Sequence, residues 1–348
     1  MTAPVWAWLQ FVACAVLIGA AGFQLSRYGD AIARQTGLSG SWIGLTLVAS
    51  VTSLPELATG ITGVTLAHAP NLAVGNALGS CVVNLAFLVL IDLIYRRAPV
   101  WSRASKSHVL TAAFSVVLLG FLLMGLLIGQ LGPQSGSPGA SLASVWASVW
   151  GVGLMTPIML MLYLVAMRTL FAYERSNPDP SAAEDAPPAL PLRQALMRFA
   201  LAASVVVGAG LWLPFAAVDL ANSMGWNRSF VGSLFVATAT SLPELAVTLS
   251  ALRLGALDMA IGNLLGSNLF NVTIIAVEDF FYRPGILLSD VSLVHAVTAS
   301  SAIVMTALAL VGLFFRPRGR VLRAVGAVSL ALAAVYLLNT YVVFLYGA

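Results

Sequence analysis

The segments Val51–Ile61, VTSLPELATGI, and Ala239–Leu249, ATSLPELAVTL, are two copies of one unusual string, in which Thr52–Ala58 is identical to Thr240–Ala246. Each copy places a proline next to a glutamate inside a stretch that is otherwise apolar enough to cross a membrane. A proline removes a backbone hydrogen bond and kinks a helix, and an ionised carboxylate is costly in lipid. The repetition of so costly a pair predicts both the fold and the position of a site.

The composition around these strings is that of an integral membrane protein. Of the 348 residues, 59% are hydrophobic and only 9% are charged, whereas soluble domains carry roughly 25% charged residues. Ten apolar stretches are long enough to cross a bilayer as helices. They run approximately over Val5–Leu25, Trp42–Ala67, Leu72–Tyr95, Val109–Gly132, Leu142–Thr169, Ala195–Leu220, Val231–Leu254, Leu257–Phe281, Leu287–Phe315 and Val321–Tyr346.

The basic residues are distributed unevenly between the loops on the two sides. With the N-terminus outside, every Lys and Arg except Arg228 and Arg283 falls in a loop on the inner face. Because basic residues concentrate in cytoplasmic loops, both termini are predicted to lie outside. We expect the membrane to be a prokaryotic cell membrane. The basic residues indicate topology, and a nucleic-acid partner is not expected.

One hydrophilic segment, Phe171–Gln194, divides the chain into two sets of five spans. Its five prolines and four acidic residues predict a solvated cytoplasmic linker. Residues 1–170 then form a first five-helix repeat and residues 195–348 a second. Because each repeat has an odd number of spans, the second is inverted relative to the first. Inverted repeats are a transporter architecture with the site near the membrane midplane, so the predicted fold class is an all-α membrane protein of ten helices.

A second pair of matching segments follows the first. GNALGSCVVN, Gly75–Asn84, and GNLLGSNLFN, Gly262–Asn271, are identical at six of ten positions. Each has a ridge of glycines four residues apart, which lets another helix approach closely. Each also has a polar stripe at helical spacing. The stripes are Asn76, Ser80 and Asn84, and Asn263, Ser267 and Asn271.

The prolines and glutamates predict an ion site. Pro55 and Pro243 leave carbonyls near Thr52 and Thr240 without helical partners, and such irregular backbone is tolerated in lipid only around a cavity. Glu56 and Glu244 are, on this prediction, the acids deep within the spans, and buried acids there usually mark an ion path. For Asn76 and Asn263, hydrogen bonding between helices is as plausible a role as ligation of an ion. For the serines and the last asparagine of each stripe we favour ligation.

Carboxylate, amide, hydroxyl and carbonyl oxygens suit Ca²⁺ and Na⁺, because Ca²⁺ takes 6 to 8 such ligands in irregular geometry. Two glutamates neutralise one divalent ion, whereas an empty site leaves two like charges facing each other. Such a site should change the side of the membrane to which it opens only when an ion is bound. This is the requirement of an antiporter. No cofactor is expected, and the partners are inorganic cations and the lipid bilayer.

The paired TSLPE and GNxxGS motifs resemble the alpha repeats of the sodium/calcium exchanger family, within the cation/Ca²⁺ antiporter superfamily. The resemblance covers all ten spans, and it implies two inverted five-helix repeats whose second and third helices line the site. It also implies the ion ligands. They would be Glu56 and Glu244 as shared carboxylates, Asn84 and Asn271 as amides, the side chains of Ser53, Ser80, Ser241 and Ser267, and the carbonyls of Ala49, Thr52, Ala237 and Thr240.

Three other functions compete with exchange of Ca²⁺ for Na⁺. The same glutamates could load protons, which would make a Ca²⁺/H⁺ antiporter. A passive cation channel is disfavoured, because carboxylates at the interface of inverted repeats suit alternating access better than a pore. An intramembrane enzyme is disfavoured because the sequence has no HExxH or GxSxG motif and no aspartate pair placed within the spans.

Overall fold

The computed structural model describes residues 3–35, 49–95, 100–105, 107–130, 152–176, 190–253, 257–317, 319 and 325–347. Nearly all of them are helical. The principal helices are α1 (Ala3–Gln35), α2 (Leu54–Thr65), α3 (Pro70–Ile94), α4 (Ser107–Gln130), α5 (Met155–Ser176), α6 (Leu192–Met224), α7 (Arg228–Thr240), α8 (Leu242–Arg253), α9 (Leu257–Phe281), α10 (Val294–Phe315) and α11 (Ala327–Tyr346). Short helices lie at Val100–Arg103 and Leu287–Asp290.

Within the described part of the chain, eight of these helices are long and apolar enough to cross a membrane. The bent pair α7 and α8 raises the number to nine if it forms one span. The predicted span Trp42–Ala67 begins at residues outside the described ranges, as does the predicted span Leu142–Thr169, and most of the predicted linker also lies outside them. The chain is an integral membrane protein with multiple apolar helices.

Helices α1 and α6 are longer than their predicted spans. Each has 33 residues, which at a rise of 1.5 Å per residue makes a rod of about 50 Å. The hydrocarbon core of a bilayer is only about 30 Å thick, so both helices must tilt or project beyond it. The two rods pack along each other.

The prediction of one continuous span over Leu287–Phe315 is wrong. The helix Leu287–Asp290 ends at an extended Val291, with φ −101° and ψ 156°, and α10 begins only at Val294. The reason is a contact with a distant part of the chain: the backbone N–H of Ser292 donates to Asn71 Oδ1 at 2.6 Å. A side chain of α3 thus binds a group that a continuous helix would have used itself.

The centre of the molecule is formed by α3 and α9, which cross in direct contact. The predicted glycine ridge of α3 is confirmed. A Cβ at Gly79 would collide with the Ser233 carbonyl of α7, and one at Gly75 would lie 3.1 Å from the Ser229 carbonyl. Any larger residue would push α3 and α7 apart. The residues of the first repeat that correspond to most of α7 lie outside the described ranges.

Corresponding helices of residues 1–170 and 195–348 make reciprocal contacts, so that each packs against the counterpart of the helix that its own counterpart contacts. Helix α1 packs against α8, while α2 packs against α6, the helix that corresponds to α1. In the same way α4 packs on α9 and α10 on α3, while α5 packs on α9 and α11 on α3. Corresponding helices also agree in length, with 12 residues in α2 and α8 and 25 in α3 and α9.

Two buried aspartates fix the outer helices to this centre. Asp92 accepts hydrogen bonds from Val100 N at 3.0 Å, Gly326 N at 2.7 Å and Ser329 Oγ at 2.7 Å, at the start of α11. Asp279 is its counterpart and binds the start of α5. It accepts from Gly153 N at 2.9 Å, Thr156 Oγ1 at 2.6 Å and Leu287 N at 2.8 Å. Each carboxylate satisfies donors that helix starts leave unpaired.

Candidate functional site

The site forms where two helices break. Ser241 interrupts the path between α7 and α8, which are bent by 44°. Ser53 occupies the same position before α2. The proline of each string lies in the first turn of the new helix, where its missing N–H costs nothing. Just before the second break, Val231–Val236 form a π-helical turn, a distortion that often accompanies functional sites.

The two glutamates follow the breaks directly. Glu56 lies in the first turn of α2 and Glu244 in the first turn of α8, and both side chains are completely buried. The positive end of a helix dipole faces its first turn and favours a carboxylate there. This placement offsets part of the cost of two like charges in an apolar interior.

Each glutamate is held by the serine of the other string. Ser241 Oγ donates to Glu56 Oε1 at 3.2 Å, and Ser53 Oγ donates to Glu244 Oε1 at 3.0 Å. In both carboxylates Oε2 has no hydrogen-bond partner among the described residues. One oxygen is therefore fixed by the protein, and the other is available to a cation.

The serine hydroxyls of α3 and α9 lie beside the two strings. Ser80 Oγ is 3.4 Å from Glu56 Oε1 and 3.5 Å from Thr240 Oγ1. Ser267 Oγ is 3.5 Å from Thr52 Oγ1. The sequence-predicted serines and threonines of both strings are thus brought to one buried cluster.

The first asparagine of each polar stripe joins two helices. Asn76 Nδ2 donates to the Glu56 carbonyl at 3.4 Å, and Asn263 Nδ2 donates to the Glu244 carbonyl at 3.2 Å. Asn76 Oδ1 also accepts from Thr240 Oγ1 at 2.9 Å. These bonds hold each new helix to α3 or α9, and they favour the interhelical interpretation for this pair.

The last asparagines differ from each other. Asn84 Nδ2 donates to Asn268 Oδ1 at 3.2 Å, which leaves Asn84 Oδ1 without a partner among the described residues. Neither amide atom of Asn271 has one. Both amides are fully buried and present an oxygen that a cation could use.

Two of the four carbonyls predicted as ligands already accept hydrogen bonds within the protein. The Ala49 carbonyl accepts from Ser53 N and Thr52 Oγ1, both at 3.1 Å. The Ala237 carbonyl accepts from Ser241 N at 3.0 Å and also lies 3.5 Å from Ser80 Oγ. Carbonyl oxygens have two lone pairs, so these bonds do not exclude ion contact.

Sequence reasoning missed two buried polar residues. The prediction that Glu56 and Glu244 are the acids deep in the spans omits Glu278, which is 0% exposed and lies in α9. The sequence feature that could have revealed Glu278 is its spacing, since it follows Asn271 by two turns on the same face of the helix. Asn268 was overlooked because the repeat has Cys81 at the matching position. Asn268 Nδ2 donates to the Cys81 carbonyl at 3.1 Å.

The assembled groups are two carboxylates with hydroxyl, amide and carbonyl oxygens. No cluster of three or more His, Cys, Asp or Glu side chains suited to a metal occurs in the described part of the chain. The oxygens here instead form the hard, irregular donor set that Ca²⁺ and Na⁺ accept. Such a set can bind and release alkali or alkaline-earth cations without chemical change.

A model of the family described as sodium/calcium exchanger protein matches residues 6–171 and 194–342. The putative antiporter CaxA of Alkalimonas amylolytica is 28% identical over 264 residues, which are 75% of this chain and 76% of that protein. The sodium/calcium exchanger MaX1 of Methanosarcina acetivorans is 38% identical over 81 residues, or 23% of each chain.

Two solved structures share the fold. Native YfkE superposes with a TM-score of 0.64 and 19% identity, covering 96% of this chain and 92% of that one. The sodium-calcium exchanger NCX_Mj, soaked with Na⁺ and Ca²⁺, superposes with a TM-score of 0.60 and 22% identity, covering 97% and 98%. At these identities the likeness concerns the arrangement of helices.

Proposed function

The chain belongs to the sodium/calcium exchanger protein family, whose members are cation antiporters and not enzymes, and we propose on this premise that it exchanges Ca²⁺ for Na⁺ by alternating access. The observation that carries the proposal is the crossed pair of glutamates. Glu56 and Glu244 are fully buried, each is bound by the serine of the opposite string, and each has one oxygen without a partner among the described residues. Two carboxylates balance the charge of one Ca²⁺ or of two Na⁺.

The proposed ligands are those that surround this pair. Asn84 and Asn271 contribute amide oxygens, and the carbonyls at the two breaks complete the ion shells. The proposed set consists of Glu56, Glu244, Asn84, Asn271, the side chains of Ser53, Ser80, Ser241 and Ser267, and the carbonyls of Ala49, Thr52, Ala237 and Thr240.

The proposed architecture has ten spans in two inverted five-helix repeats, residues 1–170 and 195–348, joined by a cytoplasmic linker over 171–194. The reciprocal contacts of corresponding helices support a two-fold relation between the repeats. Their equal lengths in α1 and α6, α2 and α8, and α3 and α9 support it as well.

Both termini are proposed to lie outside a prokaryotic cell membrane. The support is the excess of basic residues in the inner loops. A membrane-impermeant thiol reagent applied from outside should label a cysteine introduced at Ser137 and not one at Ser181. Both positions lie outside the described residues, and the reverse labelling pattern would invert the topology.

The coupling ion is tested by Ca²⁺ uptake into proteoliposomes under an imposed Na⁺ gradient or pH gradient. Uptake driven by Na⁺ at constant pH supports the proposal. Uptake driven only by the pH gradient would overturn Na⁺ coupling and establish the Ca²⁺/H⁺ antiporter that the same two carboxylates could serve. Fluxes that equilibrate Ca²⁺ without drawing on either gradient would indicate a channel.

A further inference from the structure

Glu278 is a buried carboxylate that lies outside the central site. Its side chain is 0% exposed, and neither Oε1 nor Oε2 has a hydrogen-bond partner among the described residues. The next residue, Asp279, is satisfied by three donors at 2.6–2.9 Å. An ionised carboxylate with no partner is strongly disfavoured in an apolar interior. Glu278 can therefore be ionised only when a cation lies beside it, and the described residues do not supply one.

The position of Glu278 connects it with the central site. It follows Asn271 by two helical turns on the same face of α9, about 10 Å along the axis. Its carboxylate rests on Gly60 of α2, where an added Cβ would collide with Oε1. Gly60 follows Glu56 by about one turn, or roughly 6 Å. Glu278 thus lies between the central carboxylates and the end of the molecule where α2 and α9 both terminate.

This arrangement occurs in only one repeat. The position that matches Glu278 is Ile91, and the position that matches Gly60 is Thr248. Thr248 Oγ1 accepts a hydrogen bond from Asn263 Nδ2 at 3.4 Å. In the second string the Thr248 side chain therefore occupies the position that Gly60 leaves open in the first string for the carboxylate of Glu278. The additional negative charge belongs to one side of the central site.

We propose that Glu278 binds one monovalent cation, Na⁺, on the path between the central site and this end of the molecule. The inference rests on the proposed exchange of Ca²⁺ for Na⁺. Glu56 and Glu244 balance one Ca²⁺, and Glu278 balances one further positive charge. The hydroxyl of Thr59, which precedes Gly60 on α2, is buried without a partner among the described residues and offers a neutral oxygen on the same stretch.

The test compares two fluxes in proteoliposomes of Glu278→Gln. Exchange of radiolabelled Ca²⁺ for Ca²⁺ needs no bound Na⁺, so it should change much less than the Na⁺-driven flux. In Na⁺-driven Ca²⁺ flux the half-saturating Na⁺ concentration should rise about tenfold, since a charge that attracts the cation at short range is lost. The Hill coefficient for Na⁺ should also fall. The matched control is Asp219→Asn, an exposed carboxylate near the end of α6, which should change neither flux.

Gly60→Ala separates charge from packing. The added methyl displaces the carboxylate of Glu278 without removing it, so the Na⁺ dependence should shift in the same direction as in Glu278→Gln. If Glu278→Gln behaves as wild type, or if both of its fluxes fall together, Glu278 has a packing role and the proposed Na⁺ site at Glu278 is refuted. If the wild type itself responds only to a pH gradient, both the proposed Na⁺ coupling and the proposed Na⁺ site at Glu278 are refuted.

Discussion

The two repeats match at the helix breaks and differ at single positions along α3 and α9. At the breaks, the bond from Ser241 to Glu56 has its counterpart in the bond from Ser53 to Glu244. Two turns past the last asparagine, the first repeat has Ile91 and the second has Glu278. Each bond at the breaks needs a residue from both repeats, so a change in either string damages the shared centre. Within the described part of the chain, Ile91 and Glu278 take part in no such bond between the strings, so this pair of positions is free to differ.

The last asparagines show a smaller difference of the same kind. Asn84 is oriented by Asn268, whereas Asn271 has no partner among the described residues. The residue that would orient Asn271 by symmetry is Cys81, whose thiol is too short and too weak a hydrogen-bonding group to act as an amide does. In the proposed site, Asn84 is thus oriented before an ion binds, whereas none of the described residues fixes Asn271.

The symmetry of the breaks is challenged most directly by Glu56→Gln and Glu244→Gln. Each change removes a charge that Ca²⁺ needs and leaves a side chain of nearly the same shape. We expect Ca²⁺ flux in proteoliposomes to fall at least about a hundredfold in both variants. Size-exclusion profiles in detergent should match the wild type. Wild-type flux in either variant would contradict the shared site.

The two aspartate anchors provide a second comparison. Asp92→Asn and Asp279→Asn each replace a carboxylate that accepts three hydrogen bonds by an amide that places N–H against one of the donors. Each should lower the free energy of unfolding by about 3 kcal/mol. Thermal unfolding in detergent measures the effect, with Asp219→Asn as the control. Destabilisation by only one of the two would show that the outer helices are held differently.

The glycine ridges of α3 and α9 extend the comparison. Gly79→Ala should cost about 1–3 kcal/mol of stability, because the new methyl meets the Ser233 carbonyl. Gly120→Ala in α4 is the control, since nothing lies within 4 Å of a Cβ there. Gly266 corresponds to Gly79, and an equal loss in Gly266→Ala would show that the two ridges are equivalent.

The smallest expected effect comes from adding a carboxylate at each amide. Asn271→Asp brings the central charge to −3 if ionised and should favour Na⁺ loading over Ca²⁺ loading. If burial beside like charges keeps the new group protonated, the Na⁺ dependence should change only at high pH.

The variant Asn84→Asp should be less stable than Asn271→Asp by about 1 kcal/mol, because its new carboxylate oxygen would face Asn268 Oδ1. Na⁺ titrations across pH and thermal unfolding measure both. Equal stability of the variants would contradict the asymmetry.

The sequence predicted the parts of the fold that depend on repetition and periodicity. The duplicated TSLPELA string correctly located both helix breaks, and helical spacing placed Ser80 beside Glu56 and Ser267 beside Thr52. Burial near a span end was not predictable in this way. Glu278 lies only three residues before the end of α9, where a carboxylate normally reaches water. Its burial depends on Gly60, a contact between residues far apart in the chain.

Two other features escaped prediction for related reasons. The gap before α10 arises because Asn71 binds a backbone N–H near Val291, and no local pattern reports a hydrogen bond from α3. Asn268 escaped prediction because the match between Gly75–Asn84 and Gly262–Asn271 reveals only the shared residues, and the position that corresponds to Asn268 is Cys81. Periodicity shows which face of a helix is buried. Contacts with residues elsewhere in the chain decide how deeply a side chain is buried and where a helix breaks.

The crossed serine and glutamate bonds have a consequence for how such a protein could have originated. On the proposed arrangement, neither five-helix unit contains a complete site, since each lacks the serine that holds its own glutamate. A gene encoding one unit alone would yield a working protein only if its product inserted in both orientations and paired with an oppositely oriented copy. Fusion into a single gene removes that requirement and lets the copies diverge, and Glu278 and Asn268 stand at positions where they have done so.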